Sequence, residues 1–195
     1  MFLESICIIE GRPQNLEAHQ ERMLLTAAHH GFTAPQLPQP TPLLPGHLTH
    51  GKVKWRIQYR EEILFMEFNP YSPKEIRSLR LVEGKPDYAF KYADRTALDR
   101  LMLQKGACDD ILIIRNGLIT DSSHSNVVLQ QGDRLYTPTT FLLNGTRRQQ
   151  LLREGMITEK ELPASELHHY DRILLINAML TLDEASSIPI ENIHW

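Results

Sequence analysis

Apolar and polar residues alternate from Phe2 to Ile9, and Glu10-Gly11 follows as a turn, which predicts a strand. From Leu16 the spacing changes. Leu16, Met23, Leu24 and Ala27 recur at helical intervals and predict a helix to about His30, with Asn15 as N-cap and Gly31 as its stop. Thr33–Leu48 carries prolines at 35, 38, 40, 42 and 45, which exclude a helix or an inner strand. It is expected as an irregular connection on the surface. Lys52–Tyr59 and Ile63–Phe68 alternate around Arg60-Glu61-Glu62 as a hairpin, and Arg77–Val82 is expected to complete a small antiparallel sheet. Gly84-Lys85-Pro86-Asp87 reads as a linker.

A second helix is predicted after Asp94, carrying Leu98, Leu101 and Met102 and ending at Gly106. Ile111–Arg115 is a continuous apolar run leading into Asn116-Gly117, a strong hairpin signal. Strands are expected at 118–121, 126–130 and 134–136, then a helix from about Arg147 to Glu154 stopped by Gly155. Ser165 reads as the cap of a short helix through His169, followed by a buried strand over Arg172–Ala178 and a last short edge at Ile188–Ile190. The pattern is α+β, in two lobes spanning 1–86 and 87–195.

Composition narrows the function. The 195 residues are 42% hydrophobic and 23% charged, as in an ordinary globular protein. A net charge of -3 argues against nucleic acid, although Arg147-Arg148 can still bind one small anion. The two cysteines, Cys7 and Cys108, are no disulfide framework, and no apolar run is long enough to span a membrane. With no signal peptide at Met1, a cytoplasmic protein is expected. The nine histidines include adjacent pairs but no metal-ligand spacing, and no G-x-S-x-G elbow occurs, so no metal site and no serine hydrolase are expected.

Three elements carry candidate chemistry. Asn144-Gly145-Thr146-Arg147 opens a helix, where free N–H groups and the helix dipole suit a phosphate; an ordinary helix start has the same pattern. Asp121 precedes the polar run Ser122–Asn126, either as turn chemistry or as a carboxylate able to keep a pyridine nitrogen protonated. Lys91 stands among Tyr88, Phe90 and Tyr92, either as a surface lysine with its stem along the rings or as a desolvated amine nucleophile. Arg22, three residues after His19, reads from pattern alone as a polar-face arginine.

Together these residues resemble the class IV aminotransferases, the fold-type-IV pyridoxal-phosphate enzymes. Phe2-Leu-Glu-Ser-Ile is similar to the family's F-E-T strand, and His19-Gln-Glu-Arg22-Met23 to its H-x-x-R-L. Asp121 through Asn126-Val-Val stands where the family has E-x-x-x-x-N-hydrophobic. Tyr136-Thr137-Pro138 and Leu143–Arg148 resemble its T-P and G-I-x-R elements, and Glu161–Leu167 with Leu175–Met179 its closing segment. The resemblance implies that Lys91 bonds the cofactor aldehyde and shuttles the substrate proton. It implies that Asp121 pairs with the pyridine nitrogen, and that Arg22, Gly145, Thr146 and Arg147 hold the phosphate.

Lys91-Tyr-Ala-Asp94-Arg95 is similar to the K-x-L-N-R of 4-amino-4-deoxychorismate lyases, which makes that activity on a small amino substrate the leading expectation. A branched-chain or D-amino-acid transaminase is the alternative, and a catalytically silent ligand-binding relative a third. The family implies a homodimer. Three departures stand out: aspartate replaces the family glutamate, Met1 falls almost on the first motif, and the first lobe is expected to be shortened at the prolines.

Overall fold

The computed structural model describes all 195 residues, Met1–Trp195. It is a mixed α/β structure with few helices, and its chain packs as two units. Met1–Pro73 and Phe90–Asp94 form the first; Lys74–Ala89 and Arg95–Trp195 form the second. The junction therefore lies earlier than the expected residue 86, and Lys91 returns to the first unit. No helix is long and apolar enough to cross a membrane.

In the first unit, β1 (Phe2–Ile9), β2 (Arg12–Pro13), β3 (Lys52–Tyr59) and β4 (Ile63–Pro70) form an antiparallel sheet in the order β2-β1-β3-β4. The fourth strand is the two-residue β2, not Arg77–Val82. Helix α1 (Leu16–His30) ends at Gly31, whose positive φ of 72° lets its N–H reach the Ala27 carbonyl. Asn15 does not cap it as predicted: at φ 53° it is left-handed, and its side chain makes no capping bond. Leu24 is exposed, while His19, Arg22 and Thr26 lie on the buried face with Met23 and Ala27. The proline-rich stretch is irregular, but it is no mere surface connection. Leu37, Leu44 and Leu48 enter a core with Phe2, Ile6, Ile8 and Trp55, because prolines that forbid a regular element leave the intervening leucines free to turn inward.

In the second unit, β5 (Leu79–Glu83) runs parallel to β6 (Asp110–Arg115). Its Leu79, Leu81 and Val82 are buried there, which explains why Arg77–Val82 does not join the first sheet: apolar composition identifies a strand but not its partner. Between them lies α2 (Thr96–Met102), which starts after Arg95 with no capping side-chain bond. Asn116 and Gly117 take φ 55° and 78°, turning β6 into β7 (Leu118–Ser122). Then come β8 (Asn126–Gln131), β9 (Arg134–Pro138), α3 (Thr146–Arg153) and β10 (Thr158–Lys160), a strand not expected from the pattern. Ala164–His169 is a 3-10 helix that starts after Pro163 with no capping side-chain bond, so Ser165, expected as its cap, lies inside it. β11 (Arg172–Ile176) pairs with β8 and β12 (Ser186–Pro189), and β13 (Ile193–His194) closes beside β5. Val127 and Leu129 face one core with Leu112, Ile119 and Ile173, while Val128 faces Leu151 and Ile176 on the α3 side. A strand apolar at successive positions is thus buried on both faces.

Candidate active site

Phe2, Glu4, Ile6 and Ile8 share one face of β1, so Glu4 is an ionic group in an apolar row. It is fully buried, and α1 supplies its partners. His19 Nδ1 lies 2.5 Å from Glu4 Oε2, while Arg22 donates from Nε to Oε1 at 2.9 Å and from Nη2 to Oε2 at 2.5 Å. His19 and Arg22 reach the same point because residues three apart share a helix face. Burial would push the Glu4 carboxyl up, but the Arg22 charge and the His19 hydrogen bond outweigh it and hold the group at about 2. Burial lowers His19, and the charges of Arg22 and Lys91 act the same way against Glu4. Facing a carboxylate that can only accept, the neutral imidazole donates from Nδ1.

Lys91 is held through its backbone. Its carbonyl accepts the Leu3 N–H at 2.8 Å, and Tyr92 forms an isolated bridge with Phe2. The neighbouring rings pack into the first unit: Phe90 lies 4.5 Å from His29 and 4.9 Å from His30, and Tyr92 lies 5.6 Å from Phe2. The lysine itself is half-buried. Within this unit the fold thus gathers Arg22, Glu4 and His19, with the Lys91 charge felt at His19.

The other expected residues belong to the second unit. Asp121 pairs opposite Asn126 across β7 and β8. Its buried carboxylate accepts Leu142 N–H at 2.9 Å and Leu143 N–H at 3.0 Å on Oδ2, and Asn126 Nδ2 at 2.8 Å on Oδ1. All three donors are neutral. Burial pushes Asp121 up to about 6, against those hydrogen bonds and the more distant Arg148 charge. The β7–β8 turn is tethered from outside, since Arg95 donates to the Ser123 carbonyl at 2.7 Å and Asn177 to Ser125 Oγ at 3.0 Å.

Gly145 leads into α3 with extended backbone, φ -67° and ψ 144°. The opening N–H groups of a helix have no acceptor within it, and no acidic residue stands in this first turn. Thr146 is buried, and Arg147 bonds Gln150 Oε1 at 2.9 Å while its buried Nε has no partner. Arg148 departs from the expected anion-binding pair. It is only 2% exposed and bonds Asn144 Oδ1, the Pro138 carbonyl and Glu159 Oε1, with its guanidinium 4.2 Å over the Phe141 ring. It braces the loop before α3.

No role is expected from the sequence for Glu4, Asn126 or Arg95, and Arg148 is expected there at an anion rather than as a brace. Glu4 had a signal, a charge in an otherwise apolar strand face; the others depend on contacts distant in sequence.

The amino-transferase class IV family matches residues 1–188. The chain belongs to that family. It is a pyridoxal-phosphate-dependent enzyme by that membership. An "uncharacterized protein" from Haemophilus influenzae is 36% identical over 182 residues, covering 91% of this chain and 97% of its own. A crystal structure of a "putative 4-amino-4-deoxychorismate lyase" from Haemophilus somnus 129PT superposes with TM-score 0.82 at 33% identity, over 91% of this chain and 95% of that one. A hypothetical aminotransferase from Mycobacterium tuberculosis, in its PLP-bound form, shares the fold with TM-score 0.75 at 16% identity, over 96% of this chain and 79% of that one.

The second unit fits this family's cofactor chemically. Three chain donors occupy the Asp121 carboxylate, which has capacity for about four hydrogen bonds. A ring nitrogen carrying a proton would be the fourth donor and would bring the positive charge that the three lack. The helix start without acids suits a phosphate group.

Proposed function

We propose that this enzyme is a 4-amino-4-deoxychorismate lyase, converting that substrate to 4-aminobenzoate and pyruvate. The reading is carried by the buried Asp121 carboxylate, surrounded by neutral donors, beside the start of α3. The 33% identical structure named for this activity supports the choice of reaction, as does the run Lys91-Tyr-Ala-Asp94-Arg95.

When bound, pyridoxal phosphate supplies an aldehyde carbon for amine exchange and a ring that draws off electrons from the substrate carbon. Asp121 keeps the proton on the ring nitrogen, which sustains that withdrawal. The N–H groups of Thr146 and Arg147, following Gly145, bind the phosphate, and Arg22 contributes charge to it. Glu4 limits what Arg22 can offer, because Nε and Nη2 are committed to the carboxylate.

Lys91 Nζ removes the proton from the substrate carbon that bears the amino group. The electron pair so released forms the ring double bond that completes the aromatic product. The C–O bond to the enolpyruvyl group breaks as that double bond forms, with its electrons on oxygen, and protonation of the enol carbon by the Lys91 ammonium yields pyruvate. No oxidant is required.

Purified protein given pyridoxal phosphate should turn yellow, and borohydride should then fix the cofactor on Lys91, as located by peptide mass. Incubation with 4-amino-4-deoxychorismate should release 4-aminobenzoate and pyruvate in equal amounts. Amino transfer to 2-oxo acids without pyruvate release would make the protein a transaminase instead. A protein that takes up cofactor but turns over nothing in a broad amine panel would be a silent relative.

A further inference from the structure

The Asn126 side chain closes a ring of contacts that reaches from β7 to the residue before α3. Its Nδ2 donates to Asp121 Oδ1 at 2.8 Å and to the Leu143 carbonyl at 2.8 Å. Both partners are acceptors, so the orientation of the amide is set by its surroundings. Asp121 Oδ2 binds the same loop from the other side, through the Leu142 and Leu143 N–H groups. The remaining atom of the amide is also engaged by shape. A Cβ added at Gly145 would stand 2.1 Å from Asn126 Oδ1, far inside contact distance, so a side chain at 145 must displace the amide. Asn126 is 7% exposed and Asp121 5%, which keeps water from replacing these bonds.

We propose that Asn126 is a positioning residue that locks the Asp121 carboxylate to the loop leading through Gly145 into α3, holding an acid and an anion-binding helix tip at one spacing before any ligand arrives. The inference rests on the reading of Asp121 and α3 as two ends of one cofactor site. Its physical content is preorganisation. A ligand with a cationic nitrogen and an anionic group gains from both ends only if the distance between them is already set. Other side chains would not serve equally: glutamine adds a methylene to a close contact, and leucine, of similar shape, supplies no donor. Arg148, on α3, is the charged group that bears on Asp121, and it is itself braced by Glu159.

The test uses cofactor-free protein first. Aspartate-labelled carbon NMR follows the Asp121 carboxyl through its titration, and inorganic phosphate serves as the anion probe. Asn126→Asp keeps the shape and replaces the donor with a second carboxylate, so the pair should share a proton and one member should titrate well above the native Asp121. Asn126→Ala and Gly145→Ala are neutral changes, and each should raise the Asp121 midpoint and weaken phosphate binding roughly tenfold or more. Gly145→Ala touches neither the carboxylate nor the amide covalently, and it stands in if Asn126→Ala does not fold. In the double variant Gly145→Ala should add no further loss, because the amide it would strike is gone. A midpoint that moves while phosphate affinity stays within twofold would overturn the coupling, as would a Gly145→Ala protein that matches the native one in both. If titration and phosphate affinity move together yet pyridoxal phosphate never binds, the cofactor reading fails and the positioning role stands.

Discussion

Glu4 and Arg22 form a two-pronged ion pair with the Glu4 carboxylate fully buried, Nε on one oxygen and Nη2 on the other. The pair joins β1 to α1 at the one ionic position of an apolar row, so it sets the angle at which Arg22 is presented. Replacing Glu4 with glutamine leaves the Arg22 charge buried without its partner. A loss of about 3–5 kcal/mol is expected in urea unfolding, since removing one member of a buried pair strands the other.

The same carboxylate makes the protein acid-sensitive. Its folded pKa of about 2 lies below the ordinary 4.5, so the stabilisation is complete above 4.5 and disappears as pH falls toward 2. It amounts to roughly 3 kcal/mol. Glu4→Gln should flatten the stability profile across this window.

Asp121 acts in the opposite direction. Raised from 3.8 to about 6, it makes the folded state bind a proton that the unfolded state has already released between those values. Stability of the cofactor-free protein should therefore fall as pH rises from 3.8 to 6, by about 3 kcal/mol in all, then level off. Asp121→Asn should remove this slope, as read from urea midpoints at several pH values. A cationic ligand that favours the charged carboxylate should remove it too.

Arg148→Lys keeps the charge but loses the planar fork that reaches Asn144, Pro138 and Glu159 together, and it loses the stacking on Phe141. A destabilisation of about 2–3 kcal/mol is expected, with faster hydrogen exchange in the loop before α3.

Phe90→Ala removes the ring that packs on His29 and His30 and so loosens the segment that carries Lys91. The Leu3 amide, whose acceptor is the Lys91 carbonyl, should exchange at least about tenfold faster, equivalent to a local loss of about 1.4 kcal/mol. Unchanged exchange at Leu3 would show that the ring does not hold the segment.

Local chemistry was legible without coordinates. Leu16–His30, Lys52–Tyr59 and the turn at Asn116-Gly117 follow from periodicity and from residues suited to positive φ. The family was legible because several motifs keep their order and spacing. Pairing was not: Leu79–Glu83 has the composition of a strand for either sheet, and only the neighbour Asp110–Arg115 decided which one it joined.

By itself the chain of residues determined the long helix and the main strands, the Asn116-Gly117 turn, and that Lys91, Asp121 and the Gly145 turn are candidates for cofactor chemistry. Tertiary structure alone decided that Glu4 restrains Arg22, that Arg148 is a brace, and that Asn126 joins Asp121 to Leu143 in the loop before α3. The reason is physical. Periodicity and turn chemistry act over a few neighbouring residues, whereas burial and hydrogen bonding depend on which distant groups arrive at the same place and exclude water.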